Sequence, residues 1–190
     1  MVSALEGSEL QALLCEARAA VDAGDVATAI SLLDPLCNAH IAEALYLRSG
    51  ISLPGENLHD FQLRRVAQLE QAAQLSCVEA LYVLGTCLES GEDVPEDPQR
   101  AIELFREAAR HGHPHAMWRL GLMTLYGTKQ IQKNEDEGLR LIKEAADLQS
   151  EGALKTIANF YRDGLFGFER NVEEAERLIM SSESSSVLRL

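Results

Sequence analysis

An internal period of 36 to 37 residues limits what this chain can fold into more than any other feature of its sequence. Three successive segments share a marker alanine and, eleven residues later, a glycine. The alanines are Ala80, Ala116 and Ala153, and the glycines are Gly91, Gly127 and Gly164. Ala44 lies 36 residues before Ala80 and marks a fourth, weaker copy. Chains with a period of this length fold as arrays of similar units, in which each unit packs against its neighbours.

Each unit is predicted to contain two helices, named helix A and helix B. In the second unit, helix B is indicated over 98–110 by Ala101, Leu104, Phe105 and Ala108, which recur at helical spacing. Aromatic residues make up only 5% of the 190 residues, while Ala, Leu and Glu are abundant, which favours helices over strands. We therefore predict an all-α fold, a right-handed α-α superhelix (solenoid) of about five helix pairs.

Glycine recurs inside the predicted helix A, at Gly85 and Gly121. A glycine in a helix interior costs roughly 0.5–1 kcal/mol relative to alanine. Its recurrence therefore predicts that a side chain at this position would collide with the neighbouring helix. Between the two helices of a unit, Asp97 and Asn171 are predicted to cap the start of helix B.

The predicted organisation is a single solenoid domain over residues 1–181. Upstream of the repeats, a helix pair turns at Gly24 and Asp25 and resembles a tetratricopeptide unit. The last nine residues have little apolar periodicity and are expected to form a polar tail. The predicted boundaries are 8–37 for the tetratricopeptide-like pair, 40–76, 77–112, 113–149 and 150–181 for the repeats, and 182–190 for the tail.

The net charge of −13 argues against a nucleic-acid ligand, because 17 Lys and Arg residues against 30 Asp and Glu residues supply no basic footprint. The charge is uneven. Residues 1–60 hold nine acidic residues and only Arg18 and Arg48, which gives −7. A basic protein partner would be attracted to this N-terminal third. The alternative is that the charge only maintains solubility.

The sequence also bears on compartment. The opening MVSALEGSEL has neither a basic nor an apolar signal region, and no run of 18 apolar residues occurs, so we expect a cytoplasmic protein without a membrane segment. The four cysteines form no C-x-x-C pair, which predicts reduced thiols on helices. They are Cys15, Cys37, Cys77 and Cys87.

The repeated positions resemble the Sel-1-like repeat family. The second unit carries most of the family's pattern, at Ala80, Leu84, Gly85, Gly91, Val94, Asp97, Ala101, Phe105, Ala108, Ala109 and Gly112. The third unit departs from it with Thr124 in place of the usual Tyr, and the first lacks the Leu-Gly pair. The resemblance covers roughly residues 40–181. It implies an α-solenoid with a non-catalytic role in binding other proteins, often as an adaptor.

The stretch HGHPH at 111–115 aligns with the turn between the second and third units. Gly112 is suited to a left-handed helix cap, and Pro114 to the first turn of the next helix. The other copies have no histidine there. We therefore interpret His111, His113 and His115 as part of a turn and predict no metal site, since no cysteine or carboxylate is spaced for zinc.

No catalytic or nucleotide-binding motif is present, and we predict neither enzymatic activity nor a cofactor. The acidic loop after Gly91 lacks the ligand spacing of an EF-hand. An enzyme remains the less favoured alternative, with a polar cluster of His111, His115 and Glu107 or Glu79 as its only candidate members.

Recognition is predicted on one stripe of the A helices. Tyr46, Tyr82, Trp118 and Lys155 follow the marker alanines by two residues, and we call them the A-helix stripe. Aromatic residues dominate binding hot spots. The alternative is a half-buried contact between helices. Neighbouring positions vary between units, as expected of a binding surface: Thr86, Glu89, Arg119, Leu122, Asn159 and Arg162.

The sequence thus predicts a non-enzymatic protein-interaction module, an adaptor or scaffold that grips another protein on the concave face of the solenoid. The partner's identity is open. An alternative is a cytoplasmic immunity protein that neutralises a toxin domain, because compact acidic repeat proteins of this size resemble such inhibitors and many toxin domains are basic.

Overall fold

The computed structural model describes residues 7–187, and this part of the chain contains ten helices and no strand. The all-α helical-repeat fold is therefore confirmed. The helices are α1 (Gly7–Asp22), α2 (Val26–Asn38), α3 (Ala42–Ser49), α4 (Leu58–Gln74), α5 (Val78–Ser90), α6 (Pro98–Arg110), α7 (Pro114–Tyr126), α8 (Glu135–Asp147), α9 (Glu151–Asp163) and α10 (Val172–Val187). Helices α3, α5, α7 and α9 are the predicted A helices, and α4, α6, α8 and α10 are the B helices.

The helices form two compact units that divide between Asp97 and Pro98. In the first unit, each helix from α1 to α5 packs on the next. Its core includes Leu14, Ala17, Leu33, Leu36, Ala44 and Ile51. The chain turns between α1 and α2 where the sequence predicts it, because Gly24 has a φ of +71° and the Asp25 carboxylate accepts a hydrogen bond from the Thr28 N–H. The extent of a single domain over 1–181 stays a prediction.

The first repeat departs from the others at its Leu-Gly position, where Arg48 and Ser49 stand in place of Leu84 and Gly85. Arg48 is only 4% exposed. Its Nε donates to Asp34 at 3.0 Å, and its Nη1 donates to the Ile51 carbonyl oxygen at 3.1 Å. A buried arginine thus replaces a core leucine, because nearby acceptors satisfy its guanidinium.

A second arginine closes the long loop between α3 and α4. Arg64 donates from Nε and Nη2 to the two oxygens of Glu56, both at 2.8 Å, and from Nη2 to the Ile51 carbonyl at 2.7 Å. The Leu53 N–H donates to the same carboxylate at 2.9 Å. Arg64 and this N–H lower the pKa of Glu56 to about 2, from an ordinary value of 4.5. The loop is therefore tied to α4 by a paired, ionised carboxylate.

Glu56 should make the free energy of unfolding of the first unit depend on pH in the acidic range. A carboxylate whose pKa is depressed by folding contributes stability that is complete above its unfolded pKa of 4.5 and is lost as the pH falls towards 2. Urea unfolding of the wild type and of Glu56→Gln should therefore differ at pH 7 and converge between pH 4.5 and 2. A difference that stays constant across this range would contradict the pairing.

The second unit contains α6 to α10, and its closest helix pair is α7 with α8. A Cβ built on Gly121 would lie 2.7 Å from Ile142 Cγ1, and one built on Gly138 would lie 2.6 Å from both the backbone N and the Cα of Leu125. The predicted close approach at Gly121 is therefore observed, whereas sequence reasoning missed Gly138. Gly85 is buried in α5, in the first unit.

The ends of the helices also follow the sequence signals. Gly91 and Gly164 take left-handed conformations after α5 and α9, with φ values of +73° and +68°. The Asn171 side chain accepts from the Glu174 N–H at 3.0 Å and caps α10 as predicted. The capping role of Asp97 stays a prediction.

The C-terminal helix is longer than the sequence indicates. It extends to Val187, so residues 182–187 of the segment predicted as a polar tail are helical. The buried Ser182 hydroxyl donates to the Ile179 carbonyl at 2.7 Å, which lets a polar side chain sit in the packed face. Residues 188–190, and the opening residues 1–6, lie outside the described residues. None of the helices described is both long and apolar enough to cross a bilayer.

Candidate protein-binding surfaces

Trp118, the central aromatic of the predicted A-helix stripe, packs between α7 and α9. Its indole ring covers Gly152, whose built Cβ would lie 2.7 to 2.8 Å from three ring carbons. The indole N–H donates to the Thr156 hydroxyl at 3.0 Å, and that hydroxyl donates to the Gly152 carbonyl at 2.7 Å. The ring is half-buried against the core of the second unit. Trp118 is therefore placed as an inter-helix contact.

The two tyrosines of the stripe lie in the first unit and are also half-buried. Tyr46 packs against the core, and burial raises the pKa of its phenol, with a smaller contribution from Glu79. On the same helix as Tyr82, the Thr86 hydroxyl donates to the Tyr82 carbonyl at 3.0 Å. Glu89, one turn further along α5, is half-buried too. Tyr46 is thus held by packing and Thr86 by its own helix, and all four side chains are only partly accessible.

The exposed members of the predicted surface lie on α9, in the second unit. Lys155 pairs with Glu151 at 2.5 Å, and Arg162 donates to Asn159 at 2.9 Å. On α7, Arg119 is half-buried with its guanidinium 5.9 Å from the centroid of Phe105, and Leu122 packs against the core. The polar row of Lys155, Asn159 and Arg162 is thus accessible, whereas Arg119 and Leu122 are only partly so.

The histidine stretch forms the turn between α6 and α7, as its register indicates. Gly112 has a φ of +84°, and Pro114 is the first residue of α7. His113 is the cap of α7, because its Nδ1 accepts from the Ala116 N–H at 3.2 Å. His115 Nδ1 lies 3.2 Å from the Ser150 hydroxyl. Among the described residues, no group of three His, Cys, Asp or Glu side chains is arranged to hold a metal ion.

The cap at His113 predicts how this turn responds to substitution. His113→Ala removes the acceptor and should lower the free energy of unfolding by about 1 kcal/mol, whereas His113→Ser keeps an acceptor and should cost little. Urea unfolding of both variants measures the difference. Equal losses in the two variants would mean that the imidazole stabilises the turn by some contact other than the cap.

The residues considered for catalysis are divided between the two units. Glu79 belongs to the first unit, while His111, His115 and Glu107 belong to the second. Glu107 lies 3.9 Å from Arg110, and His111 is exposed. The four cysteines are free thiols, and burial raises the pKa of Cys37 to about 11, which leaves that thiol protonated at neutral pH.

Two surface grooves in the second unit were not found from the sequence. Groove 1 lies between α6 and α8, with α7 as its base, and has a volume of about 420 Å³. Its floor is apolar, formed by Met117, Leu120 and Leu141. Arg106 and Arg110 line its α6 wall, and Glu137, Arg140 and Glu144 line its α8 wall.

Groove 2 repeats this arrangement one unit further on, between α8 and α10, with a volume of about 540 Å³. Its floor of Leu154, Ile157 and Leu178 corresponds to that of groove 1 at a step of 37 residues. At the same step, Lys143 replaces Arg106 and Asp147 replaces Arg110. The alignment of the repeats contains this correspondence between the two grooves. It becomes visible only when the exposed residues of the B helices are compared, and not their packed residues.

Comparison with known protein families identifies the repeats. The Sel1 repeat model matches residues 78–113 and 114–150, so this part of the chain consists of two Sel1 repeats. Residues 78–150 therefore belong to the Sel1 repeat family, and the ten helices described have the helical-repeat fold that the resemblance implied. Sel1 repeat proteins are protein-interaction modules. The tetratricopeptide likeness of 8–37 stays a prediction.

Curated relatives match about half of this chain. The chain is 28% identical over 101 residues to Chitin synthase regulator SKT5 of Saccharomyces cerevisiae, and 30% identical over 95 residues to Chitin synthase regulatory factor 3 of Schizosaccharomyces pombe. Each alignment takes in 50% of this chain, but only 14% and 10% of these relatives.

Solved structures agree on the fold. A Sel1 repeat protein from Oxalobacter formigenes superposes with a TM-score of 0.71 at 20% identity, over 90% of this chain and 69% of that one. The protective antigen c5321 of uropathogenic Escherichia coli, described as having an SLR fold, gives a TM-score of 0.66 at 22% identity, over 82% of this chain and 33% of that one. At these identities the likeness concerns the fold.

Proposed function

We propose that the protein is a non-enzymatic adaptor that binds a partner protein through its repeats and thereby regulates it. The observation that carries this proposal is the accessible polar row on α9, formed by Lys155, Asn159 and Arg162. These side chains project from a helix whose other face is fixed in the core by Leu154 and Ile157. A rigid scaffold with variable exposed polar residues is the usual arrangement of a repeat-protein binding surface.

The relatives support a regulatory role. Both relatives are named for the regulation of chitin synthase, and each alignment covers half of this chain. The names of the relatives do not identify the protein that this chain regulates, because the chain matches only a small part of either relative. The proposal is therefore binding and regulation of a protein partner, with the absence of catalytic activity and a cytoplasmic location as parts of it.

Site-specific photocrosslinking tests the α9 surface directly. A photoreactive amino acid at position 155 or 159 of the full chain, expressed in its native host, should give a discrete crosslinked band with one protein. The same amino acid at position 129, an exposed lysine in the loop after α7, is the matched control and should give none. The crosslink should disappear when Arg162→Glu is added, because that change reverses a charge on the same row.

A discrete band from position 129 but none from positions 155 and 159 would refute the α9 surface. The inhibitor hypothesis remains the second candidate, and the net charge of −13 favours it. It predicts that the crosslinked protein is a basic toxin domain and that the association rate falls steeply as ionic strength rises. A crosslinked partner that is acidic would remove this candidate.

A further inference from the structure

We infer that groove 1 is a second recognition site, which docks a short peptide segment carrying apolar side chains next to carboxylates. The inference rests on the proposed protein-binding function and adds the chemistry of a partner segment. It concerns the surface between B helices, and so lies apart from the A-helix positions Lys155 and Asn159.

The floor of groove 1 supplies an apolar contact. Met117, Leu120 and Leu141 converge at its base, and Ala109 leaves the α6 side open. Met117 and Leu141 are only partly buried by the protein's own packing. Covering partly exposed apolar surface of this kind is the main source of affinity for a short peptide.

The α6 wall carries two arginines that are at most weakly paired among the residues whose side chains are described. Within residues 7–183, Arg106 makes no ion pair, and the nearest carboxylate to Arg110 is Glu107 at 3.9 Å. Arg110 is 74% exposed. Two arginines four residues apart on one helix face lie close enough to share a carboxylate or to bind two neighbouring ones.

The α8 wall, by contrast, is hydrogen-bonded within itself and has one arginine against two glutamates. Arg140 donates to both oxygens of Glu137, at 2.6 and 2.8 Å, and to Glu144 at 2.5 Å. These contacts lower the pKa of Glu137 and raise that of Arg140. The geometry of this ionised network is fixed by its own hydrogen bonds. The attraction for an incoming group therefore comes from Arg106 and Arg110, which favour an anion.

Groove 2 shows what the two arginines add. It has an equivalent apolar floor, but Asp147 stands at the position of Arg110. Lys143, at the position of Arg106, lies 5.2 Å from the ring centroid of Phe168 and is therefore already engaged. A carboxylate entering groove 2 would meet Asp147, which repels it. The two grooves thus have corresponding apolar floors but differ in charge, since groove 1 has three arginines and two glutamates, whereas groove 2 has one lysine and two carboxylates.

The test uses a defined probe. A fluorescein-labelled peptide of about 12 residues, in which pairs of Glu alternate with pairs of Leu, is titrated into the full chain and followed by anisotropy. A second peptide has Gln for every Glu. We expect saturable binding of the acidic peptide, weakened by about tenfold or more in Arg106→Glu/Arg110→Glu and in the Gln peptide, since both remove charge-assisted contacts. Binding should also weaken as salt rises.

Lys143→Glu is the matched control, since it reverses a charge at the equivalent position of groove 2 and should leave the affinity unchanged. Amide resonances should shift at Met117, Leu120 and Leu141 on addition of the acidic peptide, and not at Leu154 or Ile157. Because Arg106 and Arg110 are exposed, circular dichroism should show an intact fold in the double variant.

Three results would overturn the inference: equal affinity for the Glu and Gln peptides, equal weakening by Lys143→Glu, or no saturable binding up to about 1 mM peptide, where specific recognition has effectively vanished. Each of these leaves the α9 crosslink untouched. Loss of the crosslink at positions 155 and 159, in turn, leaves the peptide titration untouched, so the two proposals fail separately.

Discussion

Replacing Trp118 with alanine should lower the free energy of unfolding by about 3 kcal/mol, near the lower end of the range for large aromatic residues because the ring is only half-buried. The substitution removes the ring that covers Gly152 and leaves a gap between α7 and α9. It also removes the indole N–H that donates to Thr156 at 3.0 Å. Urea unfolding followed by circular dichroism measures the loss, since the tryptophan signal itself is absent from the variant.

Trp118→Phe separates the two contributions. It keeps an aromatic ring at this position but removes the donor and part of the ring system, and the Thr156 hydroxyl retains its hydrogen bond to the Gly152 carbonyl. We expect a loss of about 1 kcal/mol. The binding half of the test is crosslinking from position 155 in the remaining folded protein, which should be unaltered. Unchanged melting of Trp118→Ala together with a lost crosslink would restore Trp118 as a recognition residue.

Gly138→Ala should destabilise the second unit by about 2 kcal/mol, although alanine is the better helix former by about 1 kcal/mol. The reason is steric. The new Cβ would lie 2.6 Å from the backbone N and Cα of Leu125, and backbone atoms cannot rotate away as a side-chain tip can. Helices α7 and α8 must therefore move apart, which loosens the contact of Gly121 with Ile142 as well. Urea unfolding measures the effect.

Gly7→Ala is the matched control for this prediction. Gly7 begins α1, and no heavy atom of the described residues lies within 4 Å of its built Cβ, so the same added methyl meets none of the packing found at Gly138. We expect no loss of stability there, and a small gain from helix propensity. The repeat pattern alone would predict that Gly138→Ala is tolerated, since Ala101 and Ala175 occupy the equivalent position in the flanking repeats. A stabilising Gly138→Ala would show that the helices separate without cost.

The contrast at Gly138 shows how far sequence reasoning reaches in this chain. The period located the helices, their glycine ends and the close approach at Gly121, because those signals recur in register. Gly138 recurs only as a small residue, since Ala101 and Ala175 stand at the same place. The alignment could not tell that α7 and α8 approach more closely than alanine allows. The residue type at one position does not specify the distance between two helix backbones.

The candidate surfaces were only partly predictable for a related reason. Position in the repeat identified the A-helix stripe, but it did not tell whether Trp118 faces solvent or Gly152. The outcome depends on a glycine 34 residues downstream that belongs to no motif of its own. The exposed row on α9 follows from the same register, whereas the grooves depend on two B helices and the A helix beneath them acting together.

The buried arginine of the first repeat has a consequence for how this protein is able to change. Repeats of similar sequence are commonly exchanged, deleted or duplicated as whole cassettes, but Arg48 holds Asp34 from the preceding helix and the Ile51 carbonyl in the following loop. Arg64 grips the same carbonyl. A cassette with leucine at position 48 would leave Asp34 without this donor, so we expect that the first repeat can be exchanged only together with α2, its upstream neighbour.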